Sequence, residues 1–96
     1  MLILVTYDVN TETPAGRKRL RRIAKVCGAY GLRVQNSVFE CEVDASQLKL
    51  LRAAILKEID PAEDSLRLYN LGNHYTGKVE HYGIKDTKDQ KGPLIF

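Results

Sequence analysis

The chain opens on Leu2-Ile3-Leu4-Val5-Thr6-Tyr7, an apolar run with so little alternation that it predicts a strand buried on both faces, hence central in its sheet. Val9 to Thr13 is a polar loop, and Pro14 and Gly16 stand where a helix begins. From there Leu20, Ile23, Ala24, Cys27 and Tyr30 recur on one helical face, up to a C-cap at Gly31. Leu32 and Val34 then alternate in one phase and Phe39, Cys41 and Val43 in the other, so two paired strands meeting at a turn near Asn36 and Ser37 are expected. Asp44 followed by Gln47 resembles a capping box, and Leu48, Leu51, Ile55 and Ile59 form the stripe of a second helix that stops at Asp60-Pro61. Leu66 to Leu71 is a further strand, closed by Gly72. The order βαββαβ over residues 1–72 predicts an α+β, ferredoxin-like sandwich with both helices on one face of an antiparallel sheet.

Beyond Gly72 the pattern changes. Lys78, Lys85, Lys88 and Lys91 interleave with polar residues before a terminal Leu94-Ile95-Phe96. Fraying would explain such a stretch. Yet Val79 to Ile84 has strand composition and the apolar end needs burial, which favours a C-terminal strand extension, residues 73–96, that docks on a sheet edge, with the partner subunit's edge the expected one.

Composition narrows the class. With 96 residues, 44% hydrophobic and 28% charged, the chain suffices for one domain with a core, and is small enough to gain from oligomerisation. No apolar run has membrane-spanning length and Met1 begins a strand, so a cytoplasmic location without membrane contact is expected. Cys27 and Cys41 lack the paired spacing of a zinc site and read as buried thiols. His74 and His81 have neither metal spacing nor an evident partner, and are expected to be exposed.

Charge adds a direction. The net charge is only +3, but Thr13 to Phe39 contains no acidic residue while holding Arg17, Lys18, Arg19, Arg21, Arg22, Lys25 and Arg33, so this segment carries +7 and the remainder −4. Of these, Arg17, Lys18, Arg21, Arg22 and Lys25 fall opposite the apolar stripe of the first helix. A solvated helix face is the plain explanation. Without acidic i,i+4 partners, however, these charges repel one another unless something neutralises them, which points to a polyanion. Against that surface stands Asp8, a carboxylate delivered by a strand end. Such a group suits a metal set against phosphate, although from the residues alone a turn or capping aspartate is the better explanation.

Three stretches carry a resemblance. The Thr-Tyr-Asp-Val ending of the first strand, Arg33 to Cys41 (Arg-Val-Gln-Asn-Ser-Val-Phe-Glu-Cys) and Asp64 to Gly72 (Asp-Ser-Leu-Arg-Leu-Tyr-Asn-Leu-Gly) resemble, in this order, the small CRISPR-associated endonuclease of spacer acquisition, CRISPR-associated protein 2. The resemblance covers essentially the whole chain, and the closing Pro-Leu-Ile-Phe looks like the end of a type I-C form. It implies a homodimer, a magnesium-dependent endonuclease acting on RNA or double-stranded DNA, and a scaffolding role in the integrase complex of antiviral defence. Carried over, the family's strand-end aspartate falls on Asp8 and its preceding aromatic on Tyr7, the catalytic candidates. Two Asp8 carboxylates would share one Mg²⁺ across a dimer axis, which suits an ion that takes one or two carboxylates and keeps several waters. The family's basic positions fall on Arg17, Arg19 and Arg33 as phosphate contacts, and Ser37 and Phe39 are further matched positions; a turn serine and a core aromatic are their ordinary explanations.

Two functions of different class remain in view. One is a metal-dependent phosphodiesterase; the other is a non-catalytic dimeric adaptor that grips duplex DNA and bridges integrase subunits. Only the enzyme needs Asp8. An unrelated ferredoxin-like regulatory or small-ligand domain ranks last, since no glycine-rich phosphate loop or acid/base cluster is present.

Overall fold

The computed structural model describes residues 1–84, comprising β1 (Leu2–Asp8), α1 (Pro14–Tyr30), β2 (Leu32–Gln35), β3 (Val38–Glu42), α2 (Ala45–Glu58) and β4 (Ser65–Asn70). The strands form one antiparallel sheet in the order β2-β3-β1-β4, the ferredoxin-like arrangement expected. Local chemistry sets the helix ends. The Thr13 hydroxyl accepts the Gly16 N–H at 3.1 Å, and Pro14 takes a first-turn position where its missing N–H costs nothing. At α2 the capping box is complete, with the Asp44 carboxylate accepting the Gln47 N–H at 2.7 Å and Gln47 Oε1 accepting the Asp44 N–H at 2.9 Å.

The core lies between the helices and one face of the sheet. Ile3, Val5 and Tyr7 of β1 and Phe39 and Cys41 of β3 meet Ile23 and Cys27 of α1 and Leu51 and Ile55 of α2, all buried. Each fully buried isoleucine or leucine contributes roughly 1.5–3 kcal/mol. Leu20, Ala24, Tyr30, Leu48, Ile59, Leu66 and Leu68 close the periphery. Cys27 and Cys41 are free and buried. Burial pushes their thiols up, to about 12 and about 11, so both stay protonated and inert, as their spacing implied.

One expectation needs correction. β1 is central, yet within one chain its open-face side chains beyond Leu2 are not fully buried: Leu4 and Thr6 are half-buried and Asp8 is exposed. Both helices lie on one face of the sheet, and no further helix or strand among the described residues covers the other. In register on that open face, Leu4 lies between Glu40 and Tyr69, Thr6 between Val38 and Arg67, and Asp8 beside Ser65. Within the single chain Val79 to Ile84, expected to dock on a partner's sheet edge, forms no strand. Tyr82 and Ile84 project into solvent, and His74 and His81 are exposed as expected. Closer to β4, the Tyr75 hydroxyl donates to Glu42 and Lys78 Nζ to the Leu71 carbonyl at 3.2 Å. Lys85, Lys88, Lys91 and Leu94-Ile95-Phe96 lie outside the described residues. Among those described, no helix is long and apolar enough to cross a membrane.

Candidate metal and nucleic-acid site

Asp8 ends β1 on the open face of the sheet, paired in register with Ser65. The preceding peptide is held from the other side, where the Tyr7 N–H donates to the Ser37 carbonyl at 3.1 Å. Ser37 and Ser65 thus flank the strand end through backbone contacts. Among the described residues no hydrogen bond engages the Asp8 carboxylate, which leaves its oxygens open to an external partner.

Tyr7, expected beside Asp8 as a catalytic group, lies on the opposite face. Side chains alternate across a strand, so neighbours cannot share a surface. The ring is buried and stacks on Phe39, with centroids 6.3 Å apart and planes at 19° to one another. Its hydroxyl is buried without a hydrogen-bond partner, and burial pushes the phenol up to about 12, helped by Cys27 and opposed by nearby Arg33. A group so placed and so weakly acidic packs the core and does not reach the Asp8 surface. Phe39 is likewise core.

The basic residues divide. Arg33 is half-buried, with its guanidinium carbon 5.3 Å from the Phe39 ring centroid and its Nε buried and unpaired. It belongs to the core side of β2, not to the outer arc of α1. Arg19 is engaged by a carboxylate 45 positions away, Nε donating to Asp64 Oδ2 at 2.8 Å and Nη2 to Oδ1 at 3.1 Å. The Asp64 side chain is 0% exposed, and the Arg19 hydrogen bonds hold its carboxyl below the usual carboxylate range. Arg19 is therefore already neutralised, contrary to its expected place among the phosphate contacts. Arg22 approaches Glu58 of α2 at 3.7 Å, a looser contact that leaves its side chain 55% exposed. Arg17 donates to the Thr11 carbonyl at 3.0 Å but remains exposed. Lys18, Arg21 and Lys25 are exposed and, among the described residues, have no ion pair, so with Arg17 they form the accessible basic row.

The expectation that α1 lacked acidic partners was thus correct only within the helix. Asp64 and Glu58 come from elsewhere in the chain, and sequence reasoning missed both. No short-range spacing signals either one. The one available hint was that Asp64 opens a stretch already singled out for its resemblance.

Among the described residues, no three His, Cys, Asp or Glu side chains gather to hold a metal ion. Asp8 alone offers one exposed carboxylate. This fits Mg²⁺ as half of a site, because that ion accepts one or two carboxylates and completes its shell with water, whereas zinc or calcium would demand more protein donors.

The family model described as CRISPR associated protein Cas2 matches residues 1–79. The chain belongs to this family. It is 63% identical over 96 residues to the CRISPR-associated endoribonuclease Cas2 of Chlorobaculum tepidum, with 100% of both chains covered. Against the CRISPR-associated endonuclease Cas2 of Halalkalibacterium halodurans it is 56% identical over 96 residues, again covering 100% of both. A crystal structure of Streptococcus pyogenes Cas2 matches with a TM-score of 0.77 at 54% identity, covering 86% of this chain and 100% of that one. The ferredoxin-like architecture is accordingly that of solved Cas2 structures. The two relatives' names differ in a useful way: one specifies RNA cleavage and the other leaves the nucleic acid open.

Proposed function

We propose that the protein is a homodimeric, Mg²⁺-dependent endonuclease of CRISPR defence that also serves as the dimeric subunit of a spacer-acquisition integrase complex. The observation that carries the enzymatic reading is Asp8, an exposed carboxylate without a hydrogen-bond partner among the described residues, at the open end of the central strand in a chain of the Cas2 family. Two such half-sites brought together by a dimer would hold one ion. Bound there, Mg²⁺ supplies Lewis-acid polarisation of a phosphate oxygen. Dimerisation is supported by the sheet face that no helix covers, where Leu32 and Tyr69 are exposed and Leu4, Val34 and Val38 half-buried. The protein's own contribution to substrate binding comes from Arg17, Lys18, Arg21 and Lys25, which meet the phosphate backbone without reading sequence.

A second reading, a non-catalytic adaptor bridging integrase subunits, draws on the lack of a complete metal site within the described residues. One experiment separates them: cleavage of duplex DNA and of single-stranded RNA with Mg²⁺, with EDTA, and with Asp8→Asn in parallel. The enzyme reading requires Mg²⁺-dependent products from the parent protein and none from the variant. Absence of products from both, with nucleic-acid binding retained, selects the adaptor.

A further inference from the structure

Asp8 is held by backbone alone, and the loop that leaves it is tied down by one buried carboxylate, Asp64. Asp64 directly precedes Ser65, the register partner of Asp8 on β4. Its Oδ1 accepts the Asn10 N–H at 3.1 Å and its Oδ2 the Asp60 N–H at 3.0 Å, while both oxygens receive Arg19. One side chain thus ties the loop after Asp8, the first turns of α1 and the connection from α2 to β4. Asn10 is tied a second time through its Nδ2, which donates to Glu63 Oε1 at 2.7 Å. The strand end is therefore gripped on both sides: by the ladder at Ser65 and, two residues on, by Asn10.

We infer that Asp64 and Arg19 are positioning residues for Asp8, holding the β1–α1 loop so that the exposed carboxylate stands in one place. Arg19 does this in place of meeting phosphate. The inference rests on the reading of Asp8 as a metal ligand and extends it to the two residues that fix it. The chemistry explains why this pair is an arginine and an aspartate: a planar guanidinium delivers two parallel donors to one carboxylate, leaving a lone pair on each oxygen for the backbone N–H groups of Asn10 and Asp60. A lysine keeps the charge and loses the fork. Residues that orient a metal ligand without touching the metal typically change affinity or activity by about 10–100-fold when altered.

Arg19→Lys and Asp64→Asn test this in the full-length protein, the first being the variant that keeps charge and is the safer to fold. Amide hydrogen exchange is expected to rise about tenfold or more across Val9 to Glu12 in both variants, with Leu2 to Val5 unchanged. Calorimetric binding of Mn²⁺, used as a probe of the Asp8 site, should weaken by about tenfold, and kcat should fall by a similar factor while KM and the salt dependence of nucleic-acid binding hold. A contact made by Arg19 to phosphate would behave differently: Arg19→Lys would leave exchange and Mn²⁺ affinity alone, and Arg19→Ala would flatten the log-log salt slope by about 0.9, which would overturn the inference. So would increased exchange with unchanged Mn²⁺ affinity and kcat, since the loop would then be mobile without consequence for Asp8. Failure of the underlying reading shows elsewhere, as Mn²⁺ binding and cleavage by Asp8→Asn equal to those of the parent protein.

Discussion

The two faces of the sheet meet at a single peptide, and they are built to different ends. On the helix side, Ile3, Val5 and Tyr7 are buried among Phe39, Cys41, Ile23 and Leu51. On the open side, Leu4 and Thr6 are half-buried and Asp8 stands exposed. One strand supplies both sets by alternation alone, so adjacent residues serve stability and chemistry separately. Tyr7 and Asp8 share a motif in the sequence and nothing in space except the backbone between them. Substitutions at the two positions should therefore pull fold and activity apart.

The largest expected effect is at Asp8. Asp8→Asn should slow Mg²⁺-dependent cleavage by about a thousandfold, or about 4 kcal/mol of barrier. As a surface change it should stay within about 0.5 kcal/mol in stability, a shift of under about 4 °C in Tm. Single-turnover cleavage and thermal melts on the same preparations check both halves. A large loss of Tm would mean that the open face is structural too, and the contrast between the faces would be lost.

Tyr7 should show the reverse. Tyr7→Ala leaves a cavity beneath Phe39 and should cost about 3 kcal/mol. Tyr7→Phe removes a buried hydroxyl that has no partner and should be neutral within about 1 kcal/mol, with cleavage retained. Denaturant unfolding of both variants and a cleavage assay of the second sharpen the comparison. Lost cleavage in Tyr7→Phe at parental stability would place the hydroxyl at the Asp8 surface and break it.

The helix that covers the buried face allows a finer test. A Cβ on Gly16 would collide with the Asn10 carbonyl, whereas Gly28 has open space around its position. Gly16→Ala should destabilise by about 2 kcal/mol, and Gly28→Ala should stabilise by about 0.5–1 kcal/mol by better helix propensity. Equal effects would show that α1 is not seated as closely on the loop after β1 as the geometry requires.

The smallest effects belong to the basic row. Removing one charge at Lys18, Arg21 or Lys25 should reduce the slope of log affinity against log salt on duplex DNA by about 0.9 each, without changing Tm appreciably. A salt series is essential, because one concentration confounds lost phosphate contacts with lost protein. An unchanged slope in a folded triple variant would make this helix face a solvated surface.

Much of the fold was legible because its signals are local. The stripe Leu20, Ile23, Cys27 and the Asp44–Gln47 capping box are read within a few residues, and both helices start where those signs put them. The phase of β1 was harder. In Leu-Ile-Leu-Val either face passes for the core, and only Thr6 and Asp8, two apart, mark the open side; taken as a pair they put Tyr7 inward. The Arg19–Asp64 and Arg22–Glu58 contacts were illegible for another reason. They join segments far apart in the chain, 45 positions in the case of Arg19 and Asp64, and a sequence shows a charge without showing what neutralises it. The basic row consequently looked larger than it is, since Arg19 and Arg22 meet carboxylates of other segments and Arg33 lies on the core side of β2.

Connections between a strand and a helix usually accept insertions readily, since they run over the surface and few contacts depend on their length. The five residues from Val9 to Thr13 are an exception. Gly16 presses from the α1 side against the Asn10 carbonyl, and the Glu12 N–H returns to Asn10 Oδ1 at 3.0 Å, so the path is determined residue by residue even though Thr11 and Glu12 are exposed. Variation here is open in side-chain identity at Thr11 and Glu12 and closed in length. A grafted peptide, tag or single added residue would leave the core nearly untouched and still dislodge the one carboxylate on which the chemistry is proposed to depend.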